Sequence, residues 1–361
     1  MSARVQLKRR NLLAFLCLSA FFVASNASNY LHSQSATAND SSFLLAQNRV
    51  SITGAGASFP APLYQRWFSE INKSNPNIQI SYQSVGSGAG VQQLINSTVD
   101  FGASDVAMTD GEMGKVSRGV ILIPMTAGSI VAGYNLPGVN SLKLSRSTLA
   151  DIFLGKIKVW NDPKITKDNP GVNLPNRPIS VVYRADGSGT TGVFTKHLSA
   201  ISPEWKSKVG EGKSVSWPTG AGAKGNEGVT AQIVQSPGAI GYLEYGYARS
   251  NRISVASLQN KAGKFVAPTP SNSANALSAV QLPGNLRAFV ADPPGANSYP
   301  IVTYSWIMAY KNYPDANKSK ALKQALNYGL TTGQQYADDL GYIPLPSNVV
   351  SKARAAVNSI K

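Results

Sequence analysis

Apolar residues recur along this chain in two alternating rhythms. Leu63, Trp67, Phe68 and Ile71 follow one another at helical spacing, as do Val91, Leu94 and Ile95, then Phe194, Leu198 and Ile201, and finally Ala321, Leu322, Ala325 and Leu326. Such stripes predict amphipathic helices with one face turned to a core. Between them lie short runs of β-branched and aromatic residues: Val50-Ser51-Ile52, Ile78 to Val85, Val99 to Ala103, Ile179 with Val181 and Val182, and Ile301 to Tyr310. These predict strands. Strand followed by helix, repeatedly, predicts an α/β fold whose ligand loops gather at the carboxyl ends of the strands.

The amino-terminal residues break this rhythm. Arg4, Lys8, Arg9 and Arg10 precede an apolar stretch from Leu12 to Ala24, and the small residues Ser25-Asn26-Ala27 follow. That order predicts a signal peptide over residues 1–27, with an apolar run too short for a comfortable membrane span. Residues 28–48, rich in Ser, Asn, Ala and Gln, predict a flexible leader. The single cysteine, Cys17, falls inside the signal peptide. The processed chain is therefore expected to carry no disulfide, no thiol nucleophile and no thiolate-bound metal. Export without disulfides fits a bacterial periplasm or cell envelope.

Composition adds a charge argument. The 361 residues include 34 Lys and Arg against 18 Asp and Glu, a formal net charge of +16. Such an excess raises the local concentration of anions. The basic residues are scattered, with no run of five and no interleaved aromatics, so no nucleic acid is expected as a partner.

Four loops could hold a small anion. The richest, Arg184 to Thr190, reads Arg-Ala-Asp-Gly-Ser-Gly-Thr between a strand and a helix. A Ser/Gly turn opening a helix leaves several backbone N–H groups without intrahelical partners, and the helix dipole adds partial positive charge. Arg184 can grip an anion with two prongs. The other loops are Thr53 to Pro60, in which Ser58 precedes a helix, Gly86 to Gly90, in which Ser87 is placed to cap one, and Ser104-Asp105. Taken singly, each loop can also be read as a plain capped helix start, with Arg184 and Asp186 then a surface ion pair.

Asp105 is the odd member, because a carboxylate in an anion site repels its ligand. It makes sense if the anion carries a proton. Phosphate keeps a hydroxyl at neutral pH and can donate it to a carboxylate, whereas sulfate cannot. Two other readings compete. An exported phosphomonoester hydrolase needs a nucleophile and a base, usually with a metal. The chain has only two histidines, His32 in the leader and His197 on a helix flank, and no Gly-x-Ser-x-Gly. A binding protein for another oxyanion, sulfate or molybdate, is disfavoured by Asp105. No catalysis, metal or cofactor is expected.

Several long segments resemble the phosphate-binding protein family of the bacterial high-affinity phosphate ABC transporter. They are Thr53 to Pro62, Val99 to Asp105, Asp151 to Ile157 with Trp160-Asn161, Arg184 to Thr190, and Pro237 to Tyr242. The resemblance implies a type II periplasmic binding protein fold, two α/β lobes joined by a double-crossover hinge. Lobe I is expected over 49–127 and 299–361, and lobe II over 128–298. It further implies that Ser58, the Phe59 N–H, Ser87, Asp105, Arg184, Ser188, Gly189 and Thr190 bind phosphate, with Asp186 orienting Arg184. The implied partners are a membrane permease pair and its cytosolic ATPase, with the binding protein itself a monomer. Ser58 stands where the family often has Thr, and Gly88-Ala89 where a second Ser and a Gly are expected.

Overall fold

The computed structural model describes residues 49–361, so the expected signal peptide and leader lie outside the described residues. Twelve strands are described: β1 Val50–Gly56, β2 Ile78–Ser84, β3 Phe101–Ser104, β4 Val120–Tyr134, β5 Lys143–Leu144, β6 Ser180–Arg184, β7 Ala221–Ala223, β8 Ala239–Glu244, β9 Ser254–Val255, β10 Ser257–Gln259, β11 Phe265–Val266 and β12 Val302–Tyr310. Nine of them form one mixed sheet in the order β2-β1-β3-β12-β4-β8-β6-β7, with β9 also paired to β4. The remaining three, β5, β10 and β11, form a small separate sheet.

The large sheet has two halves, and β4 runs through both. From Val120 to Ser129 it pairs antiparallel with β12, and from Ile130 to Tyr134 it pairs with β8 instead. In the first half β1 lies parallel to β2 and β3. In the second, β6 lies parallel to β7 and β8. β12 lies between β3 and β4 in the middle of the sheet, and every one of its residues is buried. The other connection, residues 279–301, carries no regular element and is pinned at two points along it. Arg146 pairs with Asp292 at 2.8 Å, and Trp306 Nε1 donates to the Leu286 carbonyl at 2.8 Å.

The helical stripes fall where periodicity puts them. The helix Ala61–Ser74 buries Leu63, Tyr64, Trp67, Phe68 and Ile71, and truncating such a side chain to Ala costs about 2–5 kcal/mol. Two local expectations are corrected. The segment Thr53–Gly56 belongs to β1, not to a loop. Its glycines serve packing: a side chain on Gly54 would strike the Phe101 ring, and one on Gly56 (φ +151°) the Ala103 backbone. Ser87 is the first helical residue rather than the cap of the helix Ser87–Ile95, since the cap position belongs to Gly86 at φ +93°. The Ser87 hydroxyl is thereby freed to turn elsewhere.

Candidate functional site

The carboxyl ends of β1, β3 and β6 meet at one point, and so do the predicted residues. Ser58, Phe59, Ser87, Asp105, Arg184, Ser188 and Thr190 are all buried there. The two halves of the sheet touch directly. Gly88 N donates to the Gly187 carbonyl at 2.7 Å, and a side chain on Gly189 would collide with Ser87 and Asp105. Only glycine allows so close an approach of the two loops.

Arg184 is held on three sides. Its backbone N–H donates to the Tyr242 hydroxyl at 3.0 Å, and its Nε and Nη2 donate to the two Asp186 oxygens at 2.8 and 2.5 Å. That leaves the far end of the guanidinium, both Nη1 hydrogens and the second Nη2 hydrogen, and Nη1 reaches Thr190 Oγ1 at 3.4 Å. The pair is buried rather than a surface ion pair, with the Arg184 side chain only 1% exposed. Burial pushes the Asp186 carboxyl up, but the Arg184 hydrogen bonds and charge, with the Gly225 N–H, outweigh it and hold it below its usual range. The Tyr242 ring stacks on Phe194 at 4.4 Å, and its hydroxyl pairs with Thr191 Oγ1 at 2.7 Å. The segments Arg184 to Thr190 and Pro237 to Tyr242 thus form one unit.

The turn after Arg184 opens the helix Gly189–Ile201. Ser188 caps it, its hydroxyl accepting from Thr191 N at 3.0 Å. The first-turn N–H groups and the dipole of this helix therefore face the cleft.

Asp105 has a different environment. Its Oδ1 accepts from Ser305 Oγ at 2.9 Å and its Oδ2 from Thr190 Oγ1 at 3.5 Å. Its backbone N–H donates to Ser87 Oγ at 3.4 Å, and its carbonyl accepts from Thr303 Oγ1 at 3.0 Å. It does not cap a helix; Thr109 caps the next one. Burial pushes the Asp105 carboxyl up to about 7, although Ser305, the Arg184 charge, Thr190 and Ser87 all pull it back.

Ser58 is joined to the other half by a residue that the sequence reading missed. Asn226 donates to Ser58 Oγ from its backbone N–H at 3.0 Å and from Nδ2 at 2.9 Å. Nδ2 also reaches Thr190 Oγ1 at 3.4 Å. The signal was present: Gly225-Asn226-Glu227-Gly228 is the Gly-rich first turn of the helix Gly225–Gln235, which opens directly after β7. The Ser58 and Phe59 carbonyls are fixed from behind by the Tyr247 and Tyr342 hydroxyls at 2.8 and 2.7 Å. His197, considered as a base, is buried beside Arg146, and burial pushes it down to about 3. Among the described residues no group of three or more His, Cys, Asp or Glu is placed to hold a metal.

This arrangement can surround a small oxyanion with a guanidinium, helix N–H groups and hydroxyls, while one carboxylate faces it. Comparison with known proteins agrees. A family model described as a PBP superfamily domain matches residues 33–331. The phosphate-binding protein PstS of Pasteurella multocida is 44% identical over 319 residues, covering 87% of this chain and 92% of that protein. PstS of Methanocaldococcus jannaschii is 40% identical and covers 86% and 87%. Among solved structures, a high-affinity periplasmic phosphate-binding protein with bound phosphate superposes with a TM-score of 0.70 at 22% identity, covering 85% and 93%. A phosphate-binding protein from Stenotrophomonas maltophilia gives 0.68 at 21% identity, covering 85% and 94%. The fold is that of these binding proteins.

Proposed function

The chain belongs to the PstS family of phosphate-binding proteins, and we propose that it binds inorganic phosphate tightly, without turnover, for delivery to an ABC importer. The observation that carries this reading is the convergence on one buried point of Arg184, the amino terminus of the helix Gly189–Ile201, and Asp105. Arg184 and the Gly189 and Thr190 N–H groups donate to the anion, as do the Phe59 N–H and the Ser58, Ser87 and Ser188 hydroxyls. Asp186 holds Arg184 in its two-pronged pose. Asp105 alone accepts, taking the proton that phosphate has and sulfate lacks. A charge-assisted hydrogen bond contributes about 1.5–3 kcal/mol, so several reach micromolar affinity or better, about −8 kcal/mol.

In the same reading, residues 49–127 with 299–361 form lobe I and 128–298 lobe II. β4 and the 279–301 connection are the two crossings that flex, and ligand contacts from both sides favour closure. The protein acts as an exported periplasmic monomer, its first 27 residues removed. A permease pair with a cytosolic ATPase receives the phosphate.

Calorimetry of the processed protein, stripped of co-purified ligand, tests the reading with phosphate, sulfate and arsenate. Stoichiometric binding of phosphate and arsenate, with sulfate excluded, is expected. Steady release of phosphate from a phosphomonoester would overturn it in favour of a hydrolase.

A further inference from the structure

Behind Asp105 lies a polar feature in an otherwise apolar strand. β12 reads Val-Thr-Tyr-Ser-Trp-Ile-Met-Ala-Tyr, with every position buried. Thr303 and Ser305, two apart, share one face of the strand, and both hydroxyls reach Asp105, one at the carbonyl and one at Oδ1. The register here is irregular: Ser305 faces Thr126, whereas Trp306 faces Pro124, so Met125 is an extra residue on β4. Pro124 has no N–H to give the ladder, which accounts for a bulge at this place. Tyr64, from the helix Ala61–Ser74, is buried, and its hydroxyl has no hydrogen-bond partner among the described residues.

We infer that Ser305 is a specificity-determining positioning residue. It occupies Asp105 Oδ1, so that only Oδ2 is turned to the ligand, and it keeps that carboxylate an acceptor rather than a donor. The inference rests on the reading of Asp105 given above. A buried carboxyl with too few donors takes up a proton. Once protonated, it could donate to a bare oxygen, and sulfate would no longer be refused. Ser305 is the strongest of the groups that oppose burial at Asp105, ahead of Arg184, Thr190 and Ser87.

The other titratable groups around Asp105 do not supply this hydrogen bond. Arg184 faces it from β6 but spends two of its nitrogens on Asp186. Glu244 from β8, Tyr82 from β2, Tyr247 from the helix Tyr245–Ser250, and Tyr342 all act on it, or it on them, only through charge. Lys196, Glu211 and Lys213 line, together with Asp105, a cavity of about 330 Å³.

The test is the ratio of sulfate to phosphate affinity from pH 5.5 to 9, measured calorimetrically for wild type, Ser305→Ala, Ser305→Thr and Asp105→Asn. Wild type should lose discrimination as pH falls. Ser305→Ala should move that midpoint upward by about one pH unit, a tenfold loss of discrimination on the slope, and Ser305→Thr should restore it. Should Ser305→Ala fail to fold, Ser305→Cys, close in shape but a weak donor, should move the midpoint the same way. Weaker binding with an unmoved midpoint in the alanine or cysteine variant would overturn the inference. A wild-type pH profile in Asp105→Asn would instead overturn the reading of Asp105 beneath it.

Discussion

The turn that carries Arg184 and the turn that carries Asp105 meet in one cleft, yet each treats a carboxylate in the opposite way. Asp186 is partly buried and meets a guanidinium with both oxygens, at 2.8 and 2.5 Å. The ion pair outweighs the cost of burial, and its carboxyl is held below the usual range. Asp105 is fully buried and bonded through its oxygens to hydroxyls alone. There burial wins, and its carboxyl rises to about 7. The same side chain is thus a permanent anchor in one place and a poised acceptor in the other. A direct charge decides the first case and the lack of one decides the second.

The largest effect is expected from breaking the Arg184 side. Arg184→Ala removes two prongs at about 1.5–3 kcal/mol each and should weaken phosphate binding more than about a hundredfold. Arg184→Lys restores the charge but not the fork, so it should recover only part. Calorimetry of the three proteins checks both statements; equal affinities would remove Arg184 from the site.

Asp105→Asn breaks the other side, and there selectivity should respond more than affinity. A buried, repelled carboxylate should exclude sulfate by roughly 4 kcal/mol, about a thousandfold. Asparagine can donate, so that exclusion should shrink, while arsenate should compete in both proteins. Competition binding at fixed pH and salt reads it out, and a variant that rejects sulfate as sharply as wild type would return Asp105 to a merely structural role.

Asp186→Asn sharpens the contrast on a smaller scale. The guanidinium keeps its charge but loses its clamp, so phosphate should bind about ten to a hundred times more weakly, a cost of roughly 1–3 kcal/mol. Sulfate discrimination should stay as it was. A parallel loss of discrimination would show that the two carboxylates do not have separate jobs.

The last effect is on the stability of the unliganded protein rather than on binding. The Asp105 carboxyl is raised from 3.8 to about 7, so the folded state holds a proton that the unfolded chain has released. Its contribution is complete below about pH 4 and is drawn down as pH rises to about 7. Asparagine has no such loss. The Tm of Asp105→Asn relative to wild type should climb across that window and then level off, as scanning calorimetry in a non-phosphate, non-sulfate buffer can follow. A flat difference would place the charge cost elsewhere.

How much of the site was legible depended on how local its parts are. Ser188 as a cap, Arg184 beside Asp186, and the helix stripe of Phe194 and Leu198 are fixed within a few residues, and the structure has them where the sequence put them. Ser87 failed as a cap because Gly86, at a φ that glycine tolerates, took the position. Asn226 went unnoticed because its partner Ser58 lies 168 residues away. Ser305 had a visible signal, two polar residues at strand spacing inside an apolar run, but its partner lies 200 residues away.

The sequence by itself determined the alternation of strand and helix, the opening of a helix at the Ser/Gly turn after Arg184, and the closeness of Arg184 to Asp186 along the chain. All of these follow from periods of two and 3.6 and from neighbours along the chain. Tertiary structure alone decided that β4 would serve both halves of the sheet, that the glycines of β1 would pack against β3, and that β12 would carry a hydroxyl to Asp105. It also decided the protonation of that carboxyl, because burial and distant donors set a pKa while residue type sets only its starting value.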